Sequence, residues 1–500
     1  MKTAITVFIV VIFSLILSYF IGVGFYTPLA LPLGGFLILI TYAFLKGDEN
    51  ENRVKFLLLI SSLAYIASSL IWPKYIALRP PGLPPIGIQR AANLFAVSLF
   101  VFAIFCSNWF KKEIANSFNQ AKAFWIFLGI LVFFRFASVF ISPTPFTSMY
   151  FFMSDLLVHW FFVFAGLVIG FSHRNIILFS KLIAYCFFIN FFFMVVEVAL
   201  GKNLFSFYAN TSDSTLDWIM AQKMRGGMYR AQTVFSHPIS FSEFASISFC
   251  FAIFMLARIK NIIWRSVAIV SAISCASVMV IVSGSRSGYL AAAAVISLSV
   301  FSPLANSLIR KQLSLKAATL WSFLIIVAAT AVAMLGILVY DYTFGKYTVG
   351  TTEDSTTMRI VMLEKTIDRL IESPIVGHGV ATAAELVGAE TRKYASSAFT
   401  IDSLFLSYTV DSGLFAVISF TALIIIGIFR AFRASFYGNE EGWFMMYTIG
   451  LAIIASALFK SILSIPENNF LLFIILGISV SKVAQSNIQQ KNTRGAYHAL

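Results

Sequence analysis

Charge is scarce in this sequence. Asp, Glu, Lys and Arg make up 12% of its 500 residues, about half of what a soluble domain carries. With 59% hydrophobic residues and a mean hydropathy of +0.86, that scarcity excludes a water-soluble globule. Nucleotide-binding signatures are missing as well: there is no GxxxxGK followed by Ser or Thr, and no GxGxxG after a strand. No internal repeat is visible, which argues against a transporter built from inverted repeats. Cysteine is limited to Cys106, Cys186, Cys250 and Cys275, each inside an apolar segment, with neither metal spacing nor a disulfide framework. No aromatic-basic motif for nucleic acid accompanies the net charge of +14. That charge reads instead as the Lys/Arg bias of membrane insertion.

Apolar runs long enough to cross a hydrocarbon core of about 30 Å recur along the chain. They lie near 4–25, 27–46, 54–72, 92–110, 123–142, 150–172, 176–200, 240–258, 262–282, 287–304, 318–340, 404–430, 443–463 and 468–482. The expected fold is all-α, a polytopic transmembrane bundle of 12–14 spans. The first run exceeds a signal-peptide core and lacks a small-x-small site, so it is expected to be a retained span. The organisation is then N-terminal helices over 1–200, an outer loop over 201–239 and central helices over 240–340. A larger outer loop over 341–403 and C-terminal helices with a tail over 404–500 complete it.

With the N-terminus inside, Lys and Arg fall in every inner loop, from Arg53 and Lys55 through Lys111, Arg174, Arg258, Arg310 and Arg430 to Lys482. The outer segments 141–149 and 464–468 have none. Both termini are thus expected in the cytoplasm of an inner-membrane protein, with the two long loops periplasmic. Loops of that length usually have a function. Residues 357–374 carry helical spacing that Pro374 ends.

Outer-face chemistry has no nucleotide supply, so its substrate must bring a leaving group, as a polyprenyl-pyrophosphate-linked molecule does. Pyrophosphate calls for a divalent metal or for Arg and Lys. The outer loops hold no DxD pair and only two histidines, so no metal or other cofactor is expected and arginine remains. Four clusters qualify. In SGSRSG, Arg286 sits among Ser283, Gly284, Ser285 and Gly288, ahead of a helix whose free N–H groups would favour an anion; the plainer alternative is an interfacial Arg reaching headgroups. The second holds Arg225, Arg230, His237, Pro238 and Glu243, where His237 could simply start a helix. The third runs from Arg359 through Lys365 and Arg369 to Gly377, His378 and Gly379, or is an amphipathic surface helix. The fourth has Asp402 at the outer mouth, a general base or an arginine's ion-pair partner, and Asp411 deeper in. Within spans lie Arg135, Asp155, His159, Glu197 and Lys460. Asp155 and His159 are four apart and share a helix face, as a proton relay or as a structural contact.

These clusters, in this order, resemble the O-antigen ligase and Wzy-type polysaccharide polymerase superfamily over about residues 200–420. Arg230 stands seven before His237-Pro238, and Ser283–Gly288 matches the Ser-x-Ser-Arg-x-Gly element. Arg359, Pro374 and Gly377-His378-Gly379 match the large loop, and Asp402 with Gly413 the mouth motif. Thr233 stands where a glycine is common. Ile401-Asp402-Ser403 replaces the His-Asn pair of ligases, which turns the resemblance towards the polymerase branch.

The resemblance implies a metal-independent, membrane-embedded glycosyltransferase of the C type. Its donor and acceptor would be undecaprenyl-pyrophosphate-linked glycans, with a chain-length regulator as a further partner and no nucleic acid. In that picture Asp402, His237 and Arg286 are catalytic, and Arg230, Arg225, Arg359, Ser285 and His378 bind substrate. A ligase moving finished glycan to an acceptor, and a lipid-linked sugar flippase, are the alternatives.

Overall fold

The computed structural model describes residues 51–73, 76, 87–206, 224–225, 228–285, 288–289, 291–295, 351–391, 398–401, 403–437, 440–461 and 466–488. The expected spans 4–25, 27–46 and 318–340 lie outside them, and the 287–304 run is described only at 288–289 and 291–295, which are helical. Ten helices among the described residues are long and apolar enough to cross a membrane. The chain is therefore a polytopic helical membrane protein. Helices are the natural outcome, since lipid offers no partner for backbone N–H and C=O groups and a helix pairs them within itself.

In chain order the first helices are α1 (Glu51–Ile71), α2 (Ile88–Cys106), α3 (Asn108–Gln120), α4 (Lys122–Val139), α5 (Pro145–Ile169) and α6 (His173–Leu200). The short ribbon β1 (Met224–Arg225) and β2 (Met228–Tyr229) follows, then α7 (Pro238–Leu256) and α8 (Ile262–Ser283). The second long segment contributes α9 (Thr351–Glu372), α10 (Ala383–Val387) and the ribbon β3 (Ala389–Thr391) with β4 (Ala398–Thr400). Last come α11 (Leu404–Tyr437), α12 (Glu440–Lys460) and α13 (Asn469–Ser479). Two two-stranded antiparallel ribbons thus decorate the helical bundle.

Local chemistry sets the boundaries. Pro145 and Pro238 occupy first-turn positions, where a missing N–H costs nothing. Ser107, Ser172 and Asn261 cap α3, α6 and α8 through their side chains. The run near 92–110 ends sooner than hydropathy suggests, because α3 carries polar NWFKKEIANSFNQ and turns aside as a separate helix. In α5 a π turn over Asp155–His159 and a 3₁₀ turn over Trp160–Phe162 interrupt the α ladder. Asp155 then meets Arg135, and His159 lines a cavity.

The core lies around α7, α12 and α13, whose apolar windows are 83%, 78% and 83% buried, while α4 and α8 at 28% form the rim. Close approach needs small residues. A Cβ on Gly166 of α5 would stand 2.2 Å from the Ile474 carbonyl and 2.6 Å from Cα of Gly477 on α13, so the two backbones touch there. A buried ion pair, Lys460 Nζ to Glu243 Oε1 at 2.8 Å, joins α12 to α7, and Asn468 Nδ2 also donates to Glu243 at 3.2 Å.

The bundle has two unlike ends. One carries Arg53, Lys55, Lys111, Lys112, Arg174, Arg258, Arg430 and Lys482 in short connections; here the Lys55 and Lys482 ammonium groups sit 4.8 and 4.4 Å from the Phe171 ring. Burial pushes the nearby Glu113 carboxyl above its ordinary range, against the opposing pull of Lys482 and Lys55. The other end gathers the long segments, the ribbons, α9 and α10. Of the expected site residues, Arg225, Arg230, His237, Ser285, Arg359 and His378 are described and belong to that loop end.

Candidate functional site

The loop before α7 is built on a buried carboxylate. Glu197, near the end of α6, is fully buried and accepts from Tyr229 Oη at 2.6 Å, Gln232 N at 3.0 Å and Thr233 N at 2.7 Å. Thr233 holds φ +51°, the left-handed region that explains why a glycine suits this position, and its hydroxyl donates to Asn190 Oδ1 at 2.9 Å. Glu467, ahead of α13, receives Ser236 N at 3.1 Å and Ser236 Oγ at 2.8 Å. Between these two anchors the chain presents Arg230 and His237.

Arg230 reaches across to the end of α8. Its Nε donates to the Ser283 carbonyl at 2.7 Å, and its side chain lies over Gly284, where an added Cβ would come 3.1 Å from Nε. Gly284 closes α8 in the left-handed region at φ +60°. Ser285 is buried, and its Oγ accepts from Gly288 N at 3.3 Å, starting the next helical turn. Two motifs separate in sequence therefore meet. Arg286 itself lies outside the described residues, between Ser285 and Gly288. His237 caps α7: Nδ1 accepts from Ile239 N at 3.1 Å, which puts the proton of a neutral ring on Nε2.

A second junction joins the large loop to a broken helix. α11 is interrupted at Gly413, which adopts φ +77°. The break frees backbone groups that the 374–379 loop takes up: His378 N donates to Val410 O at 2.9 Å, Gly379 N to Asp411 O at 3.0 Å and Leu414 N to Pro374 O at 2.8 Å. The fit leaves no room for side chains. A Cβ on Gly413 would lie 2.4 Å from the Ile375 carbonyl, and one on Gly377, at φ +72°, 2.5 Å from Ser412 N. His378 Nε2 lies 2.9 Å from the Arg369 carbonyl, so that nitrogen carries the proton.

Asp411 holds this junction to the bundle. Oδ1 accepts Ala383 N at 2.8 Å, the start of α10. Oδ2 accepts from Arg135 Nη1 at 3.1 Å and Ser407 Oγ at 3.3 Å. Arg135 is 4% exposed, also pairs with Asp155 through Nη2, and lies 4.5 Å over the Tyr408 ring. Charges inside a membrane bundle persist only when paired in this way.

Arg359 is half-buried on α9 and lies three and seven residues before buried Met362 and Thr366, on the packed face. Arg225 sits in β1 opposite Met228. Asp402 lies outside the described residues, between buried Ile401 and Ser403. Among the described residues no three His, Cys, Asp or Glu side chains gather as a metal site, and the four cysteines are free. Sequence reasoning singled out Arg135 and Glu197 only as charges in spans, Asp155 as a neighbour of His159, and Asp411 as the deeper acid of the fourth cluster. Glu467 and Arg90 carried no signal beyond their place in outer loops.

Residues 271–421 match the family model described as O-antigen ligase. Over that segment the chain is similar to this family. No curated protein matches the chain. The O-antigen ligase segment spans the end of α8, Gly284–Gly288, α9, the 374–383 loop and the break at Gly413. Arg230 and His237 precede it, so the junction of Arg230 with Ser283 joins the matched segment to the rest of the chain.

Proposed function

We propose that this protein polymerises oligosaccharide repeat units linked to undecaprenyl pyrophosphate, at the periplasmic face of the inner membrane. The observation that carries this reading is the hydrogen bond of Arg230 to Ser283, which draws the two arginine motifs, 53 residues apart, into one junction. Arg286 follows Ser283 by three residues in the chain, and a pair of guanidinium groups would suit a diphosphate, since each offers forked donors to phosphate oxygens.

In this mechanism the acceptor sugar's hydroxyl oxygen attacks the anomeric carbon of the donor glycan. The bond from that carbon to the pyrophosphate oxygen breaks, and the lipid pyrophosphate leaves with the electron pair. Arg286 and Arg230 stabilise the negative charge that grows on it, a role in which losing one donor costs about 10²–10³ in rate. Arg359 and Arg225 guide phosphate or the acceptor lipid, and Ser285 holds the turn. Asp402 takes the hydroxyl proton. His237 suits donation better than proton abstraction, because its Nδ1 lone pair is committed to capping α7; His378 likewise uses Nε2–H on a carbonyl. With arginine supplying the positive charge, the reaction is proposed to proceed without a metal, which full activity in chelator would support.

A ligase is the second reading, favoured by the description of the matched family. Gene deletion separates them. Loss of a polymerase leaves single repeat units on the final acceptor, whereas loss of a ligase leaves long chains on the carrier lipid. Loss of a flippase traps units on the inner leaflet. Long polymer on the final acceptor in the deletion strain would overturn the polymerase proposal.

A further inference from the structure

A cavity of about 300 Å³ opens at the loop end between the end of α1, the start of α2, the first half of α5 and the turn before α13. Trp72, Arg90, Asn93, Tyr150, His159 and Glu467 are in its wall. All lie outside the matched segment 271–421, and the transfer mechanism uses none of them. We infer that this cavity is a sugar-binding subsite that seats one or two neutral pyranose rings of the glycan; the inference rests on the glycan-transfer reading above.

Composition points to a sugar. Ligand pockets run from roughly 300 to 1,000 Å³, so this one suits a small ligand rather than a whole repeat unit. Sugar hydroxyls both donate and accept, and the wall offers amide, carboxylate, imidazole and guanidinium groups for that purpose. Trp72 and Tyr150 supply flat apolar surface against which the C–H face of a pyranose packs. Arg90 and Glu467 offset one another in charge, unlike a site for pyrophosphate. Asn93 is 5% exposed and is held beside the Tyr65 hydroxyl in the same wall, so its amide is fixed where a ligand hydroxyl can meet it.

Position links the cavity to the transfer site. Glu467 belongs to the cavity wall and also receives both hydrogen bonds of Ser236, the residue before His237. A ring bound there would sit beside the loop that carries Arg230 and His237.

The test uses full-length protein in nanodiscs and, as probe, the oligosaccharide released from the host's own surface polysaccharide, followed by saturation-transfer NMR. Wild type should bind, and Asn93→Ala and Arg90→Ala should each weaken binding roughly three- to tenfold. Inorganic pyrophosphate should not displace the probe. Arg90 is exposed, so its variant is not expected to endanger folding, and size-exclusion profiles check both. No binding by wild type, equal binding by the variants, or displacement by pyrophosphate would overturn the subsite. Failure of the polymerase reading shows elsewhere, as long polymer in the deletion strain.

Discussion

Arg135 holds one positive charge between two carboxylates, those of Asp155 and Asp411. Arg135→Ala should therefore be the most damaging single change in this network. It removes the cation shared by buried Asp411 and part-buried Asp155 and the ring contact to Tyr408. Breaking a buried pair by deleting one member costs about 3–5 kcal/mol, roughly two to four orders of magnitude in the folding equilibrium. Asp411→Asn should come next, since it weakens the pairing while keeping a side chain that can still meet Ala383 N. Asp155→Asn should be mildest, because Arg135 and Asp411 remain as a one-to-one pair at 3.1 Å. Thermal unfolding of detergent-solubilised protein, followed by size exclusion, reads this order directly. If Asp155→Asn proved as destabilising as Arg135→Ala, the charge-balance reasoning would be wrong.

The backbone fit and the second ion pair lead to further expectations. Gly413→Ala should cost more than about 1 kcal/mol in stability and reduce activity, because φ +77° and a carbonyl at 2.4 Å both oppose a side chain; an unchanged melting profile would count against the described break. Thr233→Gly should be neutral or stabilising at its φ of +51°, unless the hydroxyl bond to Asn190 dominates, which Thr233→Ala would reveal by a loss larger than the glycine variant's. Lys460→Met alone should destabilise, and combining it with Glu243→Leu should restore part of the loss, as a double-mutant cycle would measure. Glu113 has a raised carboxyl pKa, so its favourable contribution is complete below the unfolded pKa and fades as pH rises through the folded one. The stability of wild type relative to Glu113→Gln should therefore increase from pH 8 to pH 5; a flat difference would refute the assignment.

Much of the fold was legible because a membrane span needs a long apolar run, and such runs survive without knowledge of partners. The spans from α1 to α13 all fall on expected runs. What escaped notice had weaker signals. α3 is too polar and short to register as a span, and the π turn in α5 leaves no mark in hydropathy. Gly413 was visible as part of a motif, but the helix break it permits depends on Pro374 and Ile375 docking from elsewhere. Glu197 and Asp411 were visible as intramembrane charges, yet their jobs are set by partners far along the chain, such as Arg135, 276 residues from Asp411. The meeting of Arg230 with Ser283 has the same character: each motif was readable alone, and only folding joins them. The cavity around Asn93 left no motif, since its wall comes from several separated segments.

The diphosphate clamp is tested most directly by the length of surface glycan made in cells carrying Arg230→Ala or Arg286→Ala, with each protein present in the membrane at wild-type level. The expected product is glycan ending at a single repeat unit, with Arg230→Lys recovering little because the fork is lost. A wild-type ladder of chain lengths from both alanine variants would contradict it.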